Sequence, residues 1–346
     1  MIRHVAVVAL LVACSFNIAL AADPKPAAPA VPAAAPKPKA KITPGKPIVP
    51  TGAGEMRRLW GELISVDLTT RTGKFRKMDD DVVYEFVVMP YAELLHHAGQ
   101  GDLQDYLPTE RALFRLHEDE NGVWKYLTYI QDEMNFLNGH KEWYYVTVIE
   151  KGRFKCDQAN ENREQFTREK DVYVDVDAET KYFRGGQEVK LEDVKIGDRM
   201  QIKAHGVGKG QKRIAWYVFL DSESVQKFAA EQKGVHAERM QANGFPGYVD
   251  VVSAPSDGGS TIEMTLFGWA RDYSKGIKVG QSVKLAPAGV DMKPTAAPIE
   301  AKISVVKSLG HNTKLTLQST QKLPAGVEPT NVVRVWVPQI LEPATK

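Results

Sequence analysis

Cysteine is nearly absent from this chain: two occur in 346 residues, Cys14 and Cys156. A disulfide framework and a cysteine-based metal knuckle both need more. Long apolar runs are missing as well, apart from one at the very start, so nothing after it reads as a membrane-spanning helix. Charge of one sign is also lacking. The chain has 45 basic and 43 acidic residues; residues 1–50 hold six and one of these, which leaves 39 and 42 for the remainder. A nucleic-acid binder would carry a basic face, and no long basic run supplies one. Ser-His-Asp, Cys-His and zinc-protease signatures are all missing, so the expectation is a protein that is not an enzyme and has no cofactor.

The one apolar run sits in a recognisable setting. Arg3 and His4 precede Val5 to Ala13, and Ala19-Leu20-Ala21 offers the small residues of a cleavage site. Residues 1–22 therefore read as a secretory signal peptide. Leu11-Val12-Ala13-Cys14 also matches a lipobox, in which Cys14 would be lipidated. Both readings export the chain to the periplasm, cell envelope or medium, and only the second gives it a membrane anchor. Residues 23–54 are dominated by Ala, Pro and Lys. Proline at this density prevents helix and ladder formation, so the segment reads as an extended tether.

Beyond the tether, alternating Val, Ile, Tyr and Phe with polar residues marks strand after strand. One longer helix is expected after Asp221 or Ser222, with Val225, Phe228, Ala229, Gln232, Val235 and Met240 on one face and Gly244 at its end. A shorter one is expected over Asp132 to His140. A local echo organises the rest. Gly101 to His117 and Val189 to His205 align with Leu103 on Leu191, Asp105 on Asp193, Arg111 on Arg199 and His117 on His205. Lys278 to Leu285 repeats part of it around Gly280. A small fold built more than once explains this better than a duplicated active site.

The connector carried by Val189, Leu191, Asp193, Val194, Gly197, Asp198 and Met200 resembles that of small OB-like barrel modules in exported bacterial proteins. The resemblance implies a mainly β chain of three tandem small OB-like β-barrel modules with a connecting helix, at 55–141, 142–243 and 244–346. In that arrangement Leu191 and Val194 would plug the open end of a barrel. Thr109-Glu110 replaces Gly-Asp in the first module, which leaves its turn geometry open. OB-like folds host oligonucleotide, oligosaccharide and protein binding, so the fold does not choose an activity.

His96-His97 is metal-like, but neighbours on a strand point to opposite faces and on a helix they diverge, so no metal is expected there. The acidic run from His117 to Gly122 and Asp79-Asp80-Asp81 lack calcium-loop spacing and read as hairpin tips. Gly206 to Arg213 lacks the ending and the helix of a phosphate loop. Trp143 and Tyr145, on one strand face, and Trp216 form the candidate ligand platform, with core and module packing as the competing reading. The expected function is an exported, non-enzymatic envelope or surface scaffold whose partner is a protein or a cell-envelope polysaccharide. A carbohydrate-binding module array is the alternative.

Overall fold

The first strand, β1 (Met56–Asp67), opens a ring that closes on itself. It pairs with β2 (Thr72–Lys77), which pairs with β3 (Val83–His96). A short β4 (Gly99–Gln100) turns back onto β3. Then β5 (Arg111–Glu118) lies beside β1, β6 (Trp124–Asp132) lies beside β5, and β6 meets β3 in parallel. A five-strand barrel results, filled by Leu63, Phe75, Phe86, Phe114 and Leu127. The computed structural model describes residues 56–119, 121–161, 167–207, 212–253, 259–310 and 312–338. The expected signal peptide, Cys14 and the tether lie outside these residues.

Helix α1 (Glu133–His140), capped by Asp132, leads into a second barrel of the same connectivity. Its strands are β7 (Glu142–Glu150), β8 (Arg153–Asn160) and β9 (Thr167–Asp175), then β12 (Arg199–Val207) and β13 (Lys212–Phe219). The hairpin of β10 (Lys181–Arg184) and β11 (Gln187–Val189) is inserted between β9 and β12 and extends the sheet. Cys156 is buried in this core. Helix α2 (Ser222–Asn243) follows, with the Asp221 carboxylate accepting the Ser224 N–H and Gly244 at φ 74° ending it. A third barrel then closes from β14 (Phe245–Ser253), β15 (Ser260–Leu266), β16 (Ser282–Pro287), β17 (Ile299–Leu309), β18 (Asn312–Ser319) and β19 (Val332–Trp336).

Three tandem small barrels with a connecting helix are thus the architecture. They are not three copies of one topology. The first two share a five-strand ring with one parallel seam. The third has six strands, all antiparallel, in the order β14-β15-β18-β17-β16-β19.

What repeats is a joint. In the second barrel Gly197 (φ 93°) donates its N–H to Val146 O at 2.9 Å, and Val146 N–H returns to Asp198 O at 2.8 Å. Val146 sits at a bulge of β7, where the ladder has a gap for a turn to fill. The same pair of bonds joins Thr109 (φ 72°) and Glu110 to the β1 bulge at Leu63, at 2.7 and 2.8 Å. It joins Gly280 (φ 90°) and Gln281 to the β17 bulge at Ile303, at 2.8 and 2.9 Å. A fourth copy joins Thr330 (φ 72°) and Asn331 to the β14 bulge at Val249, at 2.8 and 3.0 Å. The turn expected to be in doubt at Thr109 therefore has the geometry of the Gly197 turn. A threonine holds a left-handed backbone at two of the four joints.

The connector before each joint is only partly equivalent. Single turns at Leu103–Asp105 and Leu191–Asp193 both carry an acid that accepts a backbone N–H three residues earlier, Asp102 N to Asp105 and Lys190 N to Asp193. Leu103 is fully buried and Tyr106 fills the barrel end, its hydroxyl donating to Leu95 O and Ile130 O. In the second barrel Val194 takes the place of Tyr106, whereas Leu191 is 41% exposed. The expectation that Leu191 plugs the barrel is corrected: the shorter Val194 closes the end, and Leu191 stays outside.

The two leucines should therefore separate in denaturation experiments. Leu103→Ala should cost about 2–5 kcal/mol, and Leu191→Ala less than about 1 kcal/mol. Gly197→Ala, which forces a side chain onto φ 93°, should cost about 1 kcal/mol or more.

Candidate functional site

Period-two alternation on β12 would send Gln201 and Lys203 outward, away from Met200, Ile202 and Ala204. All five are buried. The outer face of this strand is covered by the first barrel, so its polar side chains end up inside the protein. Thr109 O accepts the Gly206 N–H at 2.9 Å, and Glu110 forms an isolated bridge with His205. The joint of the first barrel is thereby stitched onto a strand of the second.

Lys203, 3% exposed at its side chain, ends in this seam. Its Nζ lies 3.0 Å from Glu110 Oε1, 2.5 Å from His96 Nε2, 3.0 Å from His97 Nε2 and 3.9 Å from Asp132 Oδ2. Three ammonium protons thus meet two imidazoles and one carboxylate at close range. Glu110 Oε2 accepts the Leu107 N–H at 3.0 Å. Asp132 accepts from His97 N at 2.9 Å and Asn135 N at 2.7 Å, so one carboxylate caps α1 and fixes the β3–β4 turn.

The histidines meet because the backbone departs from a strand at the second of them. His97 and Ala98 have φ of 49° and 58°. This left-handed pair swings the His97 ring onto that of His96, with centroids 4.0 Å apart. The expectation that adjacent residues would point apart is corrected on this ground. His96, His97 and Asp132 offer ligand atoms within 4.8 Å of one another. Their chemistry suits a divalent ion, but the Lys203 ammonium already stands between both ring nitrogens and Glu110. A lysine serves as the internal cation of this site.

Helix α2 seals the cluster with polar residues. Gln232 Nε2 donates to Gln100 O at 2.9 Å and Asp105 Oδ2 at 3.1 Å. Its Oε1 therefore faces His96 Nδ1 at 3.1 Å, which must carry a proton. Arg239 forms a two-pronged pair with Asp105, Nη1 to Oδ2 being 2.6 Å. Of the residues expected on the buried face, Gln232 is buried, whereas Val235 is 40% exposed and its neighbour His236 is buried instead.

Burial pushes the Asp132 carboxyl up, with His96 and Lys203 opposing. Burial also acts upward on Glu110, but Lys203 and His96 outweigh it and hold that carboxyl low. Burial, then the charges of Lys203 and His96, drives His97 down, so its ring is neutral. For His96, burial and Lys203 act downward, Glu110 and Asp132 act upward, and the balance is upward. A second charged knot lies in the same seam: Glu133 is 3.6 Å from Arg111, 3.4 Å from Arg213 and 3.2 Å from the Tyr144 hydroxyl.

The residues singled out in sequence fall in several places. Trp143 is 2% exposed, lies under the Arg199 guanidinium at 4.3 Å and packs with Met134, Phe183, Phe219 and Val225. Arg111 covers Trp60 in the same way at 5.0 Å, so the Arg111–Arg199 echo records a duplicated cation–aromatic contact. Tyr145 is half-buried beside Trp143 and donates to Asn160 O. Trp216 stacks on His205 at 4.9 Å. The three do not form one exposed platform, because Trp143 is buried where the second barrel packs against α1 and α2. The cluster residues Glu110, Asp132 and Lys203 carried no motif; strand alternation identifies a polar face without revealing what covers it.

Open depressions also lie elsewhere among the described residues. A cleft of about 290 Å³ between the first and third barrels is lined by Val87, Pro90, Pro287 and Val290, with Arg71 among its walls. A shallower groove of about 400 Å³ crosses β1, β2 and β3 and includes Lys74, Glu85 and Lys125.

Two measurements check the seam. Lys203→Met leaves the Glu110 charge buried and should cost about 3–5 kcal/mol. Adding Glu110→Gln should restore part of that, giving a coupling of about 1–3 kcal/mol in a urea-denaturation cycle. Asp105 should govern part of the acid limb. Burial pushes its carboxyl up, but the hydrogen bond and charge of Arg239 outweigh this, and it is lowered from 3.8. Its contribution is therefore complete above the unfolded value and is lost as pH falls through the lower folded one. Asp105→Asn should flatten the loss of stability below about pH 4 in acid titration. No protein-family model and no curated protein matches the chain.

Proposed function

We propose that this protein is an exported, non-enzymatic scaffold of the cell envelope or surface, built to hold three barrels as one body and to present their outer faces to a protein or polysaccharide partner. The observation that supports this most is where the reactive side chains lie. His96, His97, Glu110, Asp132 and Lys203 are turned into the seam between barrels and covered by α2, where they serve assembly and do not face a cleft. Buried polar networks of this kind favour one arrangement of parts over others. Among the described residues no helix is long and apolar enough to cross a membrane. Attachment, in this reading, is left to the N-terminal segment.

A carbohydrate-binding role is the second reading, and the groove on β1–β3 favours it over Trp143. Five-strand barrels of this class take extended ligands across their second and third strands. Lys74, Glu85 and Lys125 provide polar groups there, and Trp124 is half-buried at the neighbouring strand, under Arg57 at 5.1 Å.

A glycan array and envelope-extract cross-linking with the full chain separate the two. The scaffold reading expects a specific protein cross-link and no saturable glycan signal. Saturable glycan binding that is lost in Lys74→Ala/Lys125→Ala, with an unchanged melting temperature, would overturn it in favour of the second reading.

A further inference from the structure

Where α2 ends, the first and third barrels come together around a buried arginine. Arg334 lies on β19 and is 3% exposed. Its Nε donates to Asn243 O at 2.7 Å and so satisfies the last turn of α2. Its Nη1 is buried and has no hydrogen-bond partner among the described residues. A guanidinium out of water and without a carboxylate is among the costlier arrangements in a protein interior.

The neighbouring acids are committed elsewhere. Asp102 Oδ1 accepts from Arg71 Nη1 at 2.8 Å and from the Leu103 N–H. Asp105 is paired with Arg239. Asp291, half-buried at the cavity wall, accepts the Lys293 N–H through Oδ1, and the exposed Lys293 lines the same cavity. Around this corner Arg71, Arg239, Lys293 and Arg334 face Asp102, Asp105 and Asp291, which leaves one net positive charge. Burial pushes its guanidinium down to about 10, and Asp102 recovers only part of that because Arg71 opposes it.

Beside Arg334 there is a cavity of about 40 Å³, walled by Arg239, Met240 and Asn243 of α2, Asp102 of the first barrel and Met292 of the third. A single water needs roughly 10–15 Å³ of such space, so one halide-sized ion fits and a bulky polyanion does not. We propose that this cavity binds one small monovalent anion, chloride in the simplest case, held by the Arg334 guanidinium at the meeting point of α2 and the first and third barrels. The ion completes the charge balance and fastens the third barrel to the rest. This goes beyond the scaffold reading and does not depend on it.

Thermal melts of the full chain at constant ionic strength, with chloride replacing gluconate over a roughly hundredfold range, test the idea. Ligand linkage predicts a rise in Tm of about 3–6 °C for the native chain and none for Arg334→Met. The same rise in both proteins would overturn the proposal, as would no rise in the native chain. Should Arg334→Met not fold, bromide-soaked crystals of the native chain decide. An anomalous peak within hydrogen-bond distance of the Arg334 guanidinium supports the site, and water alone in the cavity contradicts it.

Discussion

The ammonium of Lys203 is the constraint around which the first two barrels are arranged. A lysine charge cannot be left in a dry interior without partners. Here the partners come from four separate parts of the chain: His96 and His97 at the end of β3, Glu110 before β5, Asp132 ahead of α1 and, one step further out, Gln232 on α2. Lys203 and His96 keep all of these partners only when the first barrel, the second barrel and α2 adopt one mutual placement. Apolar contact between the barrels would favour closeness; the hydrogen bonds require a register. The Glu133 knot with Arg111, Arg213 and Tyr144 adds a second such requirement at the first turn of α1.

The repeated joint explains how small barrels tolerate this demand. Each joint fills a bulge with a left-handed turn, which fixes where the following strand begins. In the first barrel the same turn has a second task. Glycine-aspartate would serve the joint alone, as at Gly197-Asp198. Thr109-Glu110 keeps the two backbone bonds to Leu63 and also delivers the Glu110 carboxylate and the Thr109 carbonyl to β12. The strain of a threonine at φ 72°, on the order of 1–3 kcal/mol for such a conformation, is tied to the position that couples two barrels. Thr330 repeats the conformation inside the third barrel without that second task, so coupling does not account for it there.

Much of the architecture was legible in the sequence. Alternation gave strands, Asp221 and Gly244 bounded α2, Asp132 headed α1, and the Leu103–Leu191 echo pointed to a duplicated connector. The different ring of the third barrel was not legible, because the Lys278–Leu285 fragment encodes the joint and not the order in which strands meet around it. The seam was also invisible, for a related reason. Lys203 in MQIKAH looks like the solvent side of a half-buried strand, and Glu110 looks like a loop residue. Their burial is decided by what packs on top, which one strand's pattern does not contain. His96-His97 was misjudged because two consecutive left-handed residues were not anticipated where no glycine stands.

Native-state hydrogen exchange at the seam tests the central claim most directly. The N–H groups of His97, Leu107 and Gly206 point to Asp132, Glu110 and Thr109 O. If the buried charges lock the first two barrels and α2 into one body, these amides exchange only through the same global opening as core amides of β6 and β12, with the same denaturant dependence. Exchange of the three at a distinctly lower opening free energy, while both barrel cores stay protected, would mean that the barrels part from each other as independent units, and would contradict the account.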